Sequence, residues 1–376
     1  MININYSYLL KGLYEAERLL KDFSDETVVP GYAFNVLNPL GLLYRPVVDE
    51  YYLENGGEKP VWPEGKPFAV CLTHDVDEVS LVTLKQSFRA KLLQLATNKS
   101  AYDKLKISLG FASALIKAYG RRNQRDPLHC YETWLNIEKK TGARSTFFFW
   151  PGLSSVSQRH VSDCLYELHD PIVFDNQKCS IAEMIQEIDY RGWEIGLHPS
   201  WYSVNDINEL KRQKESLENV TGHEIVSVRQ HYLHYDIRTT PKIHTTAGFK
   251  YDSTLGFNDN IGFRFGTCYP WNLHDLESNE ALSILEIPLI IQDTAMLGSV
   301  KGMSLDEDTS FQYIVQISES VEKVGGIITL LWHPNYIIRP EWWNLYLRIL
   351  QYLKSKNAWF GSVQEVGAWW QTQKMI

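Results

Sequence analysis

Short apolar runs alternating with helix-patterned segments constrain the fold of this 376-residue chain more than any other feature. The runs lie at residues 68–73, 145–150, 194–198, 227–230, 284–289 and 327–333. The first, Phe68-Ala69-Val70-Cys71-Leu72-Thr73, is apolar on both faces, as a strand buried on both sides must be. Helical periodicity falls between the runs, at residues 131–141, 181–191, 206–220, 311–324 and 341–356. Parallel strands need a crossover, and a helix is the usual one. The alternation therefore predicts parallel βαβ units, in a barrel or an open doubly wound sheet. No internal repeat and no low-complexity tract interrupts it.

Two regions stand outside the alternation. Residues 1–66 hold an amphipathic helix candidate at 8–23, then an irregular stretch containing Pro30, Pro39, Pro46, Pro60 and Pro63. They read as a lead-in packed on a main domain at 67–376. Residues 80–126 read as a helical insertion after the first strand. Its 85–125 portion carries ten Lys/Arg against one acid, Asp103, interleaved with Leu92, Leu93, Leu105, Ile107 and Phe111. Such a segment presents a solvated basic face or a peripheral contact with anionic lipid.

Composition narrows the function classes. A net charge of −8 argues against a nucleic-acid partner, which calls for a basic surface. Five cysteines, an odd number without a C-x-x-C pair, suggest neither a disulfide framework nor a zinc knuckle. The start of the chain shows no basic stretch followed by an apolar one, and no run is long enough for a membrane span. A cytoplasmic enzyme is the expectation.

The chemistry gathers where the apolar runs end. Thr73-His74-Asp75-Val76-Asp77 puts two carboxylates two residues apart at a strand end. There they repel unless a cation sits between them or one keeps a proton. A turn in which they cap the next helix is the plain alternative. His198-Pro199-Ser200 places a histidine at another strand end, where it either ligates a metal or holds structure. Arg229-Gln230-His231-Tyr232 opens with a cation suited to keeping a neighbouring carboxylate ionised. Leu331-Trp332-His333 ends a further strand with a histidine able to act as an acid, and Asp293 is a candidate to orient it.

In this order the segments resemble the polysaccharide deacetylases, over residues 68–370. Gly142 to Trp150 (Gly-Ala-Arg-Ser-Thr-Phe-Phe-Phe-Trp) is similar to that family's second strand. The resemblance implies a distorted, seven-stranded, TIM-like (β/α) barrel and a metal-dependent hydrolase that removes acetyl groups from N-acetylated sugars. It implies Asp75 as catalytic base, Arg229 as its partner, and His333 with Asp293 as the acid. It also implies a divalent ion, zinc first, with cobalt, nickel, manganese or iron as alternatives, held by Asp77 and His198. Trp201, Tyr232 and Trp332 are the residues expected against the sugar. The departure concerns the third ligand. The family's second histidine comes four residues after the first, where this chain has Tyr202, followed by Ser203. His231, which replaces the family's proline, is the expected substitute, with His74, His234 or water as alternatives.

Two rival readings follow from the same residues. A barrel that lost its metal would remain a sugar-binding protein. Asp75-Val76-Asp77-Glu78-Val79 also resembles the first motif of haloacid-dehalogenase-type phosphatases. The late acidic pair such enzymes need is matched only by Asp306-Glu307-Asp308, without an apolar strand before it.

Overall fold

The computed structural model describes residues 4–22, 31–80, 126–153 and 159–373. The predicted basic insertion lies outside the described residues, apart from Ser80 and Asp126 at its ends.

Twelve strands are described: β1 (Ala69–Val76), β2 (Thr146–Phe149), β3 (Pro171–Phe174), β4 (Gln177–Ser180), β5 (Glu194–Leu197), β6 (Ser227–Val228), β7 (Tyr251–Asp252), β8 (Trp271–Asp275), β9 (Glu280–Glu286), β10 (Ile291–Gln292), β11 (Ile327–Leu331) and β12 (Trp359–Gly361). Ten of them form one sheet in the order β10-β11-β1-β2-β5-β6-β7-β9-β8, with β12 also against β1; β3 and β4 form a separate hairpin. Every pairing in the large sheet is parallel except β8 with β9. The alternation read from the sequence thus becomes a mixed α/β fold with a large central sheet and flanking helices. No pairing between β10 and β8 joins its two ends among the described residues, so closure into a seven-stranded barrel does not appear.

β1 organises the sheet. Along one edge it pairs with β11 over residues 69–73; along the other it pairs first with β12 and then, from Thr73 to Val76, with β2. All eight of its residues are buried. It is longer than the sequence run suggested because His74 and Asp75 are strand residues, not the start of a turn. Alternation along β1 sends Thr73 and Asp75 to the Arg229 side and His74 to the side covered by the Tyr131–Thr141 and Pro340–Ser355 helices.

The helices match the periodicity closely: Tyr131–Thr141, Ile181–Tyr190, Ile207–Thr221, Glu307–Val324 and Pro340–Ser355. Ser180 and Glu183 close a capping box on the second of these, and Asp206 and Asp306 cap the third and fourth. The single helix expected at 8–23 is two, Tyr6–Leu10 and Leu13–Asp22, because Gly12 takes φ +78° between them. The lead-in packs against the main sheet: Trp62 stacks on Trp359 and Trp370, Glu15 pairs with the buried Arg264, and Asp49 accepts from Thr267 and Cys268.

Candidate metal centre

Asp75, Asp77, His198, Arg229, His231, Asp293 and His333 all stand at or just beyond the C-terminal ends of β1, β5, β6, β10 and β11. That is the edge where parallel α/β sheets gather ligands.

Arg229 anchors the floor. Its guanidinium is fully buried and every nitrogen is used. Nη1 donates to Thr73 Oγ1 at 2.6 Å and to Asp75 Oδ1 at 3.1 Å. Nε donates to the Ser253 carbonyl at 2.6 Å and Nη2 to Ser253 Oγ at 2.8 Å. Its plane lies 4.7 Å over the Phe148 ring. Gly196 in β5 makes room for that ring, since a Cβ there would stand 2.5 Å from it. The cation is thus fixed before any substrate arrives, and Asp75 is held beside it as a buried, paired carboxylate.

Asp77 sits in a different environment. His198 Nε2 and His231 Nε2 approach its Oδ1 at 3.3 and 3.4 Å, and His333 Nε2 approaches its Oδ2 at 3.6 Å. Oδ1 is buried yet makes no hydrogen bond, and His231 Nδ1 is buried in the same condition. Such atoms are rare in folded proteins and ask for a missing partner. Donor atoms of Asp77, His198 and His231 all lie within 4.8 Å of one another. His198 Nδ1 donates to the Arg229 carbonyl at 2.7 Å, which leaves Nε2 with a lone pair facing the cluster. Two imidazoles and a carboxylate suit zinc and its first-row neighbours better than magnesium or calcium. Part of the Asp77 side chain, 29%, stays exposed, so the cluster opens to solvent. These three residues form a buried group capable of holding a divalent cation.

The charges agree. Burial works against ionising Asp77, but His231, His198 and His333 outweigh it and hold the carboxyl well below its usual range. Burial likewise works against charging His198, and Asp75 and Asp77 overcome it, so its pKa is raised.

His333 belongs to a second pair. Its Nδ1 meets Asp293 Oδ1 at 2.7 Å and its backbone N–H donates to Asp293 Oδ2 at 2.7 Å. Asp293 is fully buried at the start of the Asp293–Leu297 helix, directly after β10. Burial opposes a charge on His333, yet Asp293, Asp77 and Asp75 push its pKa up to about 10. A histidine so held turns its Nε2 toward the cluster.

The remaining expected residues divide. Tyr232 is half exposed at the rim, with a left-handed φ of 57° followed by Leu233 at 52°. Trp201 lies nearby, but both its faces are covered, by His160 at 4.5 Å and His234 at 4.0 Å. Trp332 is fully buried against Tyr346, away from any surface a sugar could touch. Of the alternative third ligands, His231 joins the cluster. His74 does not: its ring lies on the far face of β1, bound to Glu138. Nor does His234, whose Nδ1 bonds the Trp201 carbonyl. Tyr202 is exposed and edges onto His160. Asp306, from the late acidic run, caps a helix. Sequence reasoning missed Glu138 and Asp163, the latter accepting from the Trp201 and His160 backbones. Neither sits in a motif; Glu138 is one acid in an ordinary amphipathic helix.

The sequence matches no protein-family profile and no curated protein. Its fold is that of several solved structures. One, provisionally named a polysaccharide deacetylase, from Mycobacterium smegmatis, is 21% identical, with 85% of this chain and 96% of that one covered at a TM-score of 0.54. An allantoinase is 16% identical, with 85% and 95% covered at 0.51. A protein from Pseudomonas aeruginosa PAO1, again provisionally named a polysaccharide deacetylase, is 17% identical, with 85% and 96% covered at 0.50. At these identities what the chain shares with them is the fold.

Proposed function

We propose that this protein is a metal-dependent hydrolase that removes acetyl groups from N-acetylated sugars of a polysaccharide or its precursor. The observation that carries the reading is the bare, buried Asp77 Oδ1 between two imidazole nitrogens, with Arg229-paired Asp75 and Asp293-paired His333 beside it. The motif order supports it, and so does the shared fold with two structures named for polysaccharide deacetylases.

Asp77, His198 and His231 would hold the cation, zinc by preference. When bound, it supplies Lewis acidity toward the acetyl carbonyl and toward water. Asp75 takes a proton from the attacking water, and Arg229 holds Asp75 in place for that step. The resemblance assigns the developing oxyanion to a backbone N–H near Tyr232. His333, oriented by Asp293, gives its proton to the departing amine nitrogen. The products are acetate and a free amino sugar. Tyr232, half exposed at the rim, offers its ring face to the sugar. Trp201 braces the rim through its two histidine stacks.

Acetate release from N-acetylglucosamine oligomers by protein of known metal content tests the reading. Turnover proportional to bound metal supports it. Protein that takes up no metal and releases no acetate from any N-acetylated sugar, and no phosphate from a simple phosphomonoester, would leave the sugar-binding alternative.

A further inference from the structure

His74 is buried completely, its two ring nitrogens both engaged. Nδ1 meets the Trp332 carbonyl at 2.6 Å and Nε2 meets Glu138 Oε1 at 2.6 Å. A carbonyl only accepts, so Nδ1 carries a proton. Glu138 is surrounded by donors. Oε1 also takes Tyr346 OH at 3.1 Å, and Oε2 takes Ser145 Oγ at 2.8 Å, Ser145 N at 3.2 Å and Trp193 Nε1 at 2.7 Å. The His74 ring thus bridges the Trp332 carbonyl and a carboxylate that is itself held by four further hydrogen bonds. Burial opposes the charge on Glu138, but His74 outweighs it and holds the carboxyl below its usual range. The rings of Phe147 and Trp134 lie 4.6 and 4.9 Å from that of His74 and fix its plane.

The Trp332 carbonyl belongs to the peptide that leads into His333. The N–H of that same peptide donates to Asp293 Oδ2 at 2.7 Å. One peptide plane is therefore gripped at both ends, by His74 on β1 and by the carboxylate that also holds the His333 ring. We propose that His74, locked by Glu138, is a positioning residue: through the Trp332 carbonyl it sets the orientation of His333 toward the Asp77 cluster. The inference rests on the proposed function for its kinetic consequence but not for its geometry.

Two substitutions separate the bonds. In His74→Asn the amide nitrogen takes the place of Nδ1 and can still donate to Trp332. In His74→Gln it takes the place of Nε2 and can still reach Glu138. Positioning through Trp332 predicts that His74→Gln loses kcat on an N-acetyl sugar by about 10- to 100-fold with little change in KM, and that His74→Asn recovers most of it. An aryl acetate, whose leaving group needs no proton, is hydrolysed by both at nearly the wild-type rate. Met184→Ala, buried in the Ile181–Tyr190 helix, serves as a destabilised control that leaves the amide-to-ester ratio unchanged. Equal losses in His74→Gln and His74→Asn, or parallel losses on amide and ester, would overturn the proposal. Nitrogen-15 resonances of the His333 ring give a readout without turnover. They shift in His74→Gln and return toward wild type in His74→Asn. If wild-type protein deacetylates nothing while these resonances behave so, the functional reading fails and the positioning stands; unmoved resonances sink the positioning alone.

Discussion

Two buried polar clusters lie on opposite faces of β1, and they differ in how fully their atoms are satisfied. Around Glu138, each carboxylate oxygen accepts at least two donors and His74 spends both nitrogens. Around Asp77, one carboxylate oxygen and one imidazole nitrogen are buried without a hydrogen bond. Both clusters join histidine to a carboxylate, so residue type does not separate them. Satisfaction does. A saturated buried network holds structure together, whereas one short of a partner is shaped for something that arrives later.

The largest effect that follows is on turnover. Asp77→Asn and His231→Gln should each lower metal-supported deacetylation by about 1000-fold or more, with metal content falling in parallel. Asp75→Asn should cost at least about 100-fold while metal stays bound, because Asp75 is paired with Arg229 and lies outside the ligand set. Full metal loss in Asp75→Asn would merge the two roles and break the distinction.

Stability should respond in the opposite sense. Glu138→Leu leaves five buried donors without their acceptor and should cost about 3–5 kcal/mol in denaturant unfolding. Asp77→Asn in metal-free protein should cost less, since no hydrogen bond to Oδ1 is lost and only the attraction of the neighbouring imidazoles goes. Wild-type protein should gain about 2.7 kcal/mol when zinc stands at 100 times its dissociation constant, and Asp77→Asn should gain far less. Equal costs for the two substitutions would remove the contrast.

A smaller effect comes from a third buried acid, Asp49 in the lead-in. Burial raises Asp49 to about 7, partly offset by donors at Thr267 and Cys268. Its unfolded value is near 3.8, so the native state binds the extra proton between those limits. Asp49 thus contributes stability below about pH 4 that is lost as pH rises toward about 7, at no more than about 1.4 kcal/mol per pH unit. Unfolding curves of wild type and Asp49→Asn between pH 5 and 8 would show it as a difference in slope; identical slopes would contradict it.

Much of the site was readable because its residues end strands. The apolar runs located β1, β5 and β11, and the residues after them, Asp77, His198 and His333, meet in space because parallel strands deliver their C-terminal ends to one edge. His231 stood out only as a departure from a pattern. His74 was weighed as a ligand although the period-two alternation of a strand already places it opposite Asp75. Trp332 was expected against the sugar for the same reason: its place next to His333 in sequence says nothing of its face, and the structure buries it. Glu138 was invisible because its partners come from β1, from the segment before β2, from the segment before β5 and from the Pro340–Ser355 helix. Open or closed, the sheet was equally beyond the sequence, since its end strands are β10, two residues long, and β8, whose Trp-Asn-Leu-His-Asp carries little apolar pattern.

The most direct test is an anomalous-scattering map from crystals of the zinc-loaded protein. The account predicts one ion with Asp77, His198 and His231 as its protein ligands, at roughly 2.0–2.2 Å, and Asp75 unligated beside it. An ion held elsewhere, or a saturated crystal with none between those three side chains, would contradict it.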